Sequence, residues 1–349
     1  MKITTALTVL CMAWIGNAQS ALQHGEDDLY VRVVDVGPGL CTITRIPGPY
    51  FMVYDAGHWN NSRCHKAVLD VAGDNDIDLM VISHNDGDHL GDADLILKNY
   101  RVKKIIRTGF ERRGNIGWDN MNRAIGKETE YGATVINLGT EPLIPGEVIK
   151  LGGAEIMAVR GYNSWPDNIA DGSADGDSHL STAELRNVIS IVLRLTFEGK
   201  SILFTGDTVG RDMDVDDVDQ CKYAEKLMVD DAAEVPIDAD VIIAPHHGSE
   251  TSGSTCFLNA VGAKFAIFSA GHKYKHPTKD SVNRYLDTGT SKTRVYRTDR
   301  GDDEGGAESP LQRVPGCKDH SGDDDIEIVI RQNGSIDVDY RLPKDPCED

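Results

Sequence analysis

The sequence predicts an α+β fold in which β-sheets are covered by helices. Three observations predict it. Apolar, β-branched runs of strand length recur along the chain and stop at Gly, Pro or Asp. Helix candidates interleave with them in both halves. Several neighbouring runs are separated by turns short enough to make antiparallel pairs.

Residues 29–36 alternate and are β-branched before Gly37-Pro38-Gly39, which reads as a strand and a tight turn. Residues 40–46 and 51–54 follow as two strands hinged by Pro47-Gly48-Pro49, the second ending at Asp55-Ala56-Gly57. A helix is predicted over 66–71. The strand 77–83 then delivers Ser83-His84-Asn85-Asp86-Gly87-Asp88-His89 onto a loop, followed by a helix over 90–98 and a strand over 103–107. A short helix is expected within 112–131, and short strands broken by Gly and Pro over 134–159. The polar stretch 161–180 reads as a long loop, which at that length is either a pocket wall or a solvated insertion.

In the second half, 188–196 and 201–205 form a hairpin across Glu198-Gly199 that ends at Gly206-Asp207-Thr208. A helix near 223–228 precedes a strand over 239–244, which stops at Pro245-His246-His247-Gly248-Ser249. The strand 264–269 runs into Gly271-His272 and His276-Pro277, followed by a helix over 281–285 and a strand over 294–297. The Gly/Asp/Glu-rich stretch 299–325 is expected to be a mobile acidic segment. Residues 326–330 and 336–338 make a closing hairpin.

Residues 1–20 carry the marks of a signal peptide: a basic Met1-Lys2, an apolar run over 6–15, and Ala18-Gln19-Ser20 before Ala21. The expectation is a secreted or periplasmic protein with one domain over 21–349. No later run approaches the length of a membrane span. Without Cys11 the chain keeps Cys41, Cys64, Cys221, Cys256, Cys317 and Cys347, an even set suited to an oxidising compartment. Sequence proximity pairs Cys41 with Cys64 and Cys317 with Cys347. No C-x-x-C is present, which argues against a structural zinc cluster or a redox motif.

The net charge is −20, with 56 Asp plus Glu against 36 Lys plus Arg, and no run of Lys and Arg interleaves with aromatics. Such a surface repels nucleic-acid phosphate at long range and disfavours a stable nucleic-acid complex. A nuclease stays open, because a local metal site outweighs the mean field at short distance.

His84, Asp86, Asp88 and His89 place four metal-competent groups within six positions at a strand end. Imidazole and carboxylate ligands suit zinc or manganese, and such ions lower the pKa of bound water. A polar turn that happens to hold histidines is the plainer alternative, which the crowding of four such groups disfavours. Asp207, after an apolar strand, is placed to bridge two ions or else to cap a helix. His246 and His247 end another strand as a ligand and its neighbour. His276, before Pro277, is a candidate ligand or a catalytic contact to the leaving group or a substrate phosphate.

These residues resemble those of metallo-beta-lactamase-fold hydrolases, and within them the hydrolase domain of bacterial competence (DNA-uptake) channel proteins. His84, Asp86, Asp88 and His89 are similar to the signature His-x-His-x-Asp-His, with Asp86 replacing the second His as in the competence branch. Asp35-Val36-Gly37-x-Gly39, Asp55-Ala56-Gly57, Leu203 to Asp207, Pro245 to Ser249 and His276-Pro277 follow the branch's pattern in order. The resemblance implies a four-layer αββα sandwich of the metallo-beta-lactamase type with one or two ions, zinc or manganese. It implies a metal-bound hydroxide that attacks phosphorus or a carbonyl carbon, with Asp88 orienting or deprotonating the water. His84, Asp86, Asp207 and one of His246 and His247 would hold the first ion. Asp88, His89 and Asp207 would hold the second, with His276 a further candidate.

The usual third-motif His is missing. Asn187 stands in that region, His179 lies too far upstream, and an amide oxygen is a poorer zinc ligand. That implies one weak ion, favouring manganese or a single-ion state. The resemblance points to a secreted phosphodiesterase or nuclease acting on a phosphate ester or another small hydrolysable substrate. A lactone or beta-lactam hydrolase is the alternative, and a non-catalytic binding protein with a degenerate site is the second. The sequence leaves the natural substrate and the oligomeric state open.

Overall fold

The computed structural model describes residues 22–164, 180–213, 219–301, 303–314 and 322–342. The leader at 1–20, most of the 161–180 loop, His179, and the Cys317–Cys347 pairing lie outside the described residues. In the first half, β1 (Leu29–Val33), β2 (Thr42–Ile46) and β3 (Tyr50–Tyr54) pair antiparallel. Next come β4 (Ile77–Ile82), β5 (Val102–Arg107) and β6 (Thr134–Asn137), added in parallel after β3. The intervening helices are α1 (Arg63–Ala72), the single turn α2 (Gly87–Leu90), α3 (Ala93–Asn99) and α4 (Ile116–Glu130).

The second sheet starts with β7 (Val148–Leu151), β8 (Ala154–Arg160), β9 (Val192–Phe197) and β10 (Lys200–Phe204), all antiparallel. Parallel to β10 run β11 (Val241–Ile243), β12 (Phe265–Phe268) and β13 (Val295–Arg297). Its helices are α5 (Thr182–Val188), α6 (Tyr223–Asp230), α7 (Thr255–Val261) and α8 (Lys279–Asp287). Finally β14 (Ile326–Ile330) and β15 (Ile336–Tyr340) return to the first sheet beside β1, giving eight strands there and seven in the second.

Side-chain alternation along the strands divides the core into layers. Met52, Tyr54, Leu79 and Val81 point toward the other sheet and meet Ile156, Leu193, Leu195, Ile202, Phe204 and Ile243. Their neighbours Phe51, Val53, Met80 and Ile82 point the opposite way, onto Val68, Ile96, Leu97, Trp118 and Met121 of the helices. On the far face of the second sheet, Leu203, Ile242, Ala266 and Phe268 pack on Met228, Phe257, Leu258, Val282 and Tyr285. The layers are therefore helix, sheet, sheet, helix, as the resemblance implies.

Several elements differ from their predicted form. The short helix expected within 112–131 is α4, fifteen residues long, begun by Asn115, whose side chain accepts from the Trp118 N–H. Residue 188 ends a helix rather than starting a strand. α5 carries a capping box, Ser181 with Glu184, at the end of what reads in sequence as loop. The 299–325 stretch is tied down where it is described. Arg297 bonds Asp299 and Glu308, and Arg300 bonds Asp324, with all five side chains buried. Its acidic residues answer buried arginines, a pairing that composition alone does not reveal.

Candidate metal centre

The chemistry-bearing segments meet because the parallel strands of both sheets end on one side. β4 leads into His84 to His89, β10 into Asp207, β11 into the 3₁₀ turn Pro245–Gly248, and β3 into Asp55. The Gly37–Gly39 turn presses on this segment: the Leu40 N–H bonds the Asp88 carbonyl, and a Cβ at Gly39 would lie 2.4 Å from that oxygen. Glycine is needed for the approach.

Two groups of side chains are suited to metal coordination, His84, His89 and Asp207 in one and Asp88, His89 and His247 in the other. Within each, ligand atoms lie within 4.8 Å of one another. Asp207 is central. Its Oδ1 lies 3.1 Å from His89 Nε2, and its Oδ2 lies 3.4 Å from His247 Nε2 and 3.9 Å from His84 Nε2. Asp88 Oδ2 is 3.8 Å from His247 Nε2.

The tautomers show what these groups fit. His89 Nδ1 lies 2.7 Å from Asp55 Oδ2, and His247 Nδ1 lies 2.7 Å from the Ser269 carbonyl, so both Nδ1 atoms are donors. In the neutral rings both Nε2 atoms then carry bare lone pairs, and they face each other at 3.2 Å. Only a cation, a proton or a metal ion, reconciles them. His84 Nε2 and Asp207 Oδ1 are buried without a hydrogen-bond partner, which fits the same demand.

Electrostatics agree. Burial, then the neighbouring His89, push His84 well below the usual imidazole value, leaving a neutral ligand. Burial alone would raise Asp207, yet His247 and His89 hold its carboxyl well below the usual range. Burial likewise opposes charge on His89, but Asp207 and Asp55 outweigh it and raise its pKa. The cavity draws positive charge.

The remaining predicted residues stand nearby, outside the two groups. Asp86 lies outside both groups: its Oδ1 accepts from Arg186 Nε at 2.6 Å and Arg112 Nη1 at 2.8 Å, while its Oδ2 is 4.0 Å from His84 Nε2. Both ring nitrogens of His246 are engaged, Nε2 by Asn187 Nδ2 and Nδ1 by Thr251 Oγ1, each at 3.0 Å. His276 packs beside His246 with ring centroids 5.9 Å apart, and its Nδ1 has no hydrogen-bond partner. Burial, then His246, push the His276 pKa down to about 3.

Asp55 has a role that the sequence does not assign, although Asp55-Ala56-Gly57 ends a predicted strand and belongs to the resemblance. This fully buried carboxylate accepts from the Ser83 N–H, Ser83 Oγ and His89 Nδ1, and its φ of 59° is a costly conformation for a non-glycine residue. Its signals in the sequence are a polar residue closing a buried strand and its place in the resembling motif. Arg112 and Arg186 offered none, being 26 and 100 residues from Asp86.

Residues 34–272 match the metallo-beta-lactamase superfamily. The chain belongs to that family. It is 27% identical over 283 residues to Competence protein ComA of Neisseria gonorrhoeae, covering 78% of this chain and 31% of the relative. It is 25% identical over 234 residues to ComE operon protein 3 of Bacillus subtilis, covering 66% and 25%. The superfamily member thus spans under a third of the length of these competence proteins, to which it is distantly related. Among solved structures it is similar to Igni18, described as a novel metallo hydrolase from Ignicoccus hospitalis. That match has 14% identity, 78% and 97% coverage and a TM-score of 0.45.

Proposed function

We propose that this chain is an exported metal-dependent phosphodiesterase. The observation that carries the metal requirement is the pair of facing Nε2 atoms of His89 and His247, 3.2 Å apart beside the Asp207 carboxylate. Divalent ions bound there, zinc or manganese, would supply Lewis acidity and lower the pKa of a water. His84, His89 and Asp207 would hold one ion and Asp88, His89 and His247 would border the other. Asp55 keeps His89 in the tautomer that offers Nε2, and the Ser269 carbonyl does the same for His247. Asp88 lines the adjoining cavity, where its carboxylate can accept a proton from an attacking water.

A phosphate ester is favoured over a neutral ester by Arg112 and Lys273, which line the same cavity within an otherwise acidic chain. Export is supported by the Cys41–Cys64 and Cys221–Cys256 disulfides, which persist in oxidising compartments. The test is hydrolysis of bis-p-nitrophenyl phosphate by metal-stripped protein before and after addition of manganese or zinc, with Asp88→Asn as control. Turnover restored by metal and lost in the variant supports the proposal. Tight metal binding without diester turnover redirects it to lactones or beta-lactams.

A further inference from the structure

A cavity of about 730 Å³ adjoins the metal centre, a size suited to a small organic molecule. Asp88 and Gly87 form part of its lining, and Trp59, Ile116 and Tyr274 stand on its walls. These three are among the large apolar side chains left exposed, at 69%, 77% and 61%. Arg112 lines the cavity too, and its bonding is one-sided. Nη1 donates to the Asn85 carbonyl at 2.9 Å and to Asp86 Oδ1 at 2.8 Å. Among the described residues no bond runs through Nε or Nη2.

We propose that Arg112 is the specificity-determining residue of the site, presenting its Nε–Nη2 edge to a non-bridging oxygen of a small anionic phosphate diester in this cavity. The free edge of a guanidinium is the planar two-donor fork that matches a phosphoryl group. Asp86 sets its orientation. By accepting both Arg112 and Arg186 on one oxygen, Asp86 shares a single negative charge between two guanidinium groups, so the charge of Arg112 is only partly offset beside the metal centre. A lone arginine tethered to a carboxylate would be neutralised; here the second arginine prevents that. The organic arm of the diester rests on the Trp59, Ile116 and Tyr274 walls. Lys273, whose Nζ lies 4.5 Å above the Tyr274 ring, adds a second cation on the 271–275 side.

This inference rests on the phosphodiesterase reading but can fail separately. Metal-loaded wild type, Arg112→Gln and Arg112→Lys are compared for kcat/KM on bis-p-nitrophenyl phosphate and on neutral p-nitrophenyl acetate. Metal content and calorimetric affinity for inorganic phosphate are measured on the same samples. Arg112→Gln is expected to lower the diester-to-acetate ratio by about 10- to 100-fold and weaken phosphate binding about 10-fold, with metal content unchanged. Arg112→Lys should recover part of the phosphate affinity and less of the ratio, because it restores charge without the fork. Equal loss on both substrates, or loss of metal, would mean that Arg112 acts only through Asp86, and would overturn the inference. If wild type does not hydrolyse the diester, the phosphodiesterase reading fails. Phosphate affinity then decides alone: equal affinity in wild type and Arg112→Gln overturns the role of Arg112, and a 10-fold difference upholds it.

Discussion

Asp55 shows how one side chain sets the chemistry of its neighbour. It touches no candidate ion, yet its carboxylate fixes the proton on His89 Nδ1 and so directs the Nε2 lone pair inward. Asp55→Asn removes that preference and should weaken binding of zinc or manganese by about 10- to 100-fold, read by titrating metal-free protein. The histidine pair separates in the same assay. His247→Ala should lose at least tenfold in metal affinity, whereas His246→Ala should lose far less, because His246 spends both nitrogens on Asn187 and Thr251. A result with the two reversed would reassign the ligand. The metal-competent cluster was legible from the sequence because four groups crowd six positions. The choice between His246 and His247 was not, because two left-handed residues in a row, φ 48° and 56°, decide which ring turns inward.

Helices lock this constellation from outside, and their packing carries its own consequences. α4 buries Trp118 completely, with its indole N–H bonded to Glu111 and Arg107 beside the ring. Trp118→Ala should cost about 3–5 kcal/mol of unfolding free energy in urea titration. α3 opens at Asp92, whose carboxylate accepts the His65 N–H, while burial raises its pKa to about 6. The folded state thus holds this proton more tightly than the unfolded chain. Its contribution is fully present below about pH 4 and is lost as pH rises through 6. Between those pH values wild type should lose about 1–2 kcal/mol relative to Asp92→Asn, after allowance for screening. α4 and α5 were the least legible elements: α4 buries only Trp118, Met121, Ala124, Ile125 and Glu128 among many polar and glycine residues, and α5 is short and begins at the end of a polar stretch. The strands were read well because both faces of each sheet are covered, which makes these strands buried throughout and mostly apolar.

At the scale of the whole molecule, two disulfides among the described residues reinforce the helical layers, Cys41–Cys64 closing 23 residues and Cys221–Cys256 closing 35. The second went unpaired in the sequence, where proximity alone offered no partner for Cys221. Each is expected to contribute roughly 3–4 kcal/mol, so reduction should shift the urea midpoint downward, from a higher starting value in the metal-loaded protein. An unchanged midpoint after full reduction would contradict this. No helix among the described residues is long and apolar enough to cross a membrane. The charge of −20 and the meeting of Arg112 with Lys273 on one cavity wall were visible at different resolutions: composition reports the first, and only the folded chain brings together the second.

The return of β14 to β1 also governs the order in which the molecule comes into being. Tyr30 bonds Glu327 across 297 residues of sequence, so β1 waits for almost the entire polypeptide before its second edge is covered. Closing so long a loop is a slow event, and until then the edge of β1 stays open to rival pairings. The ion-binding side chains come from strands of both sheets. Any ion bound there should therefore enter after the two sheets have met, as a finishing step of maturation rather than as a nucleus for it.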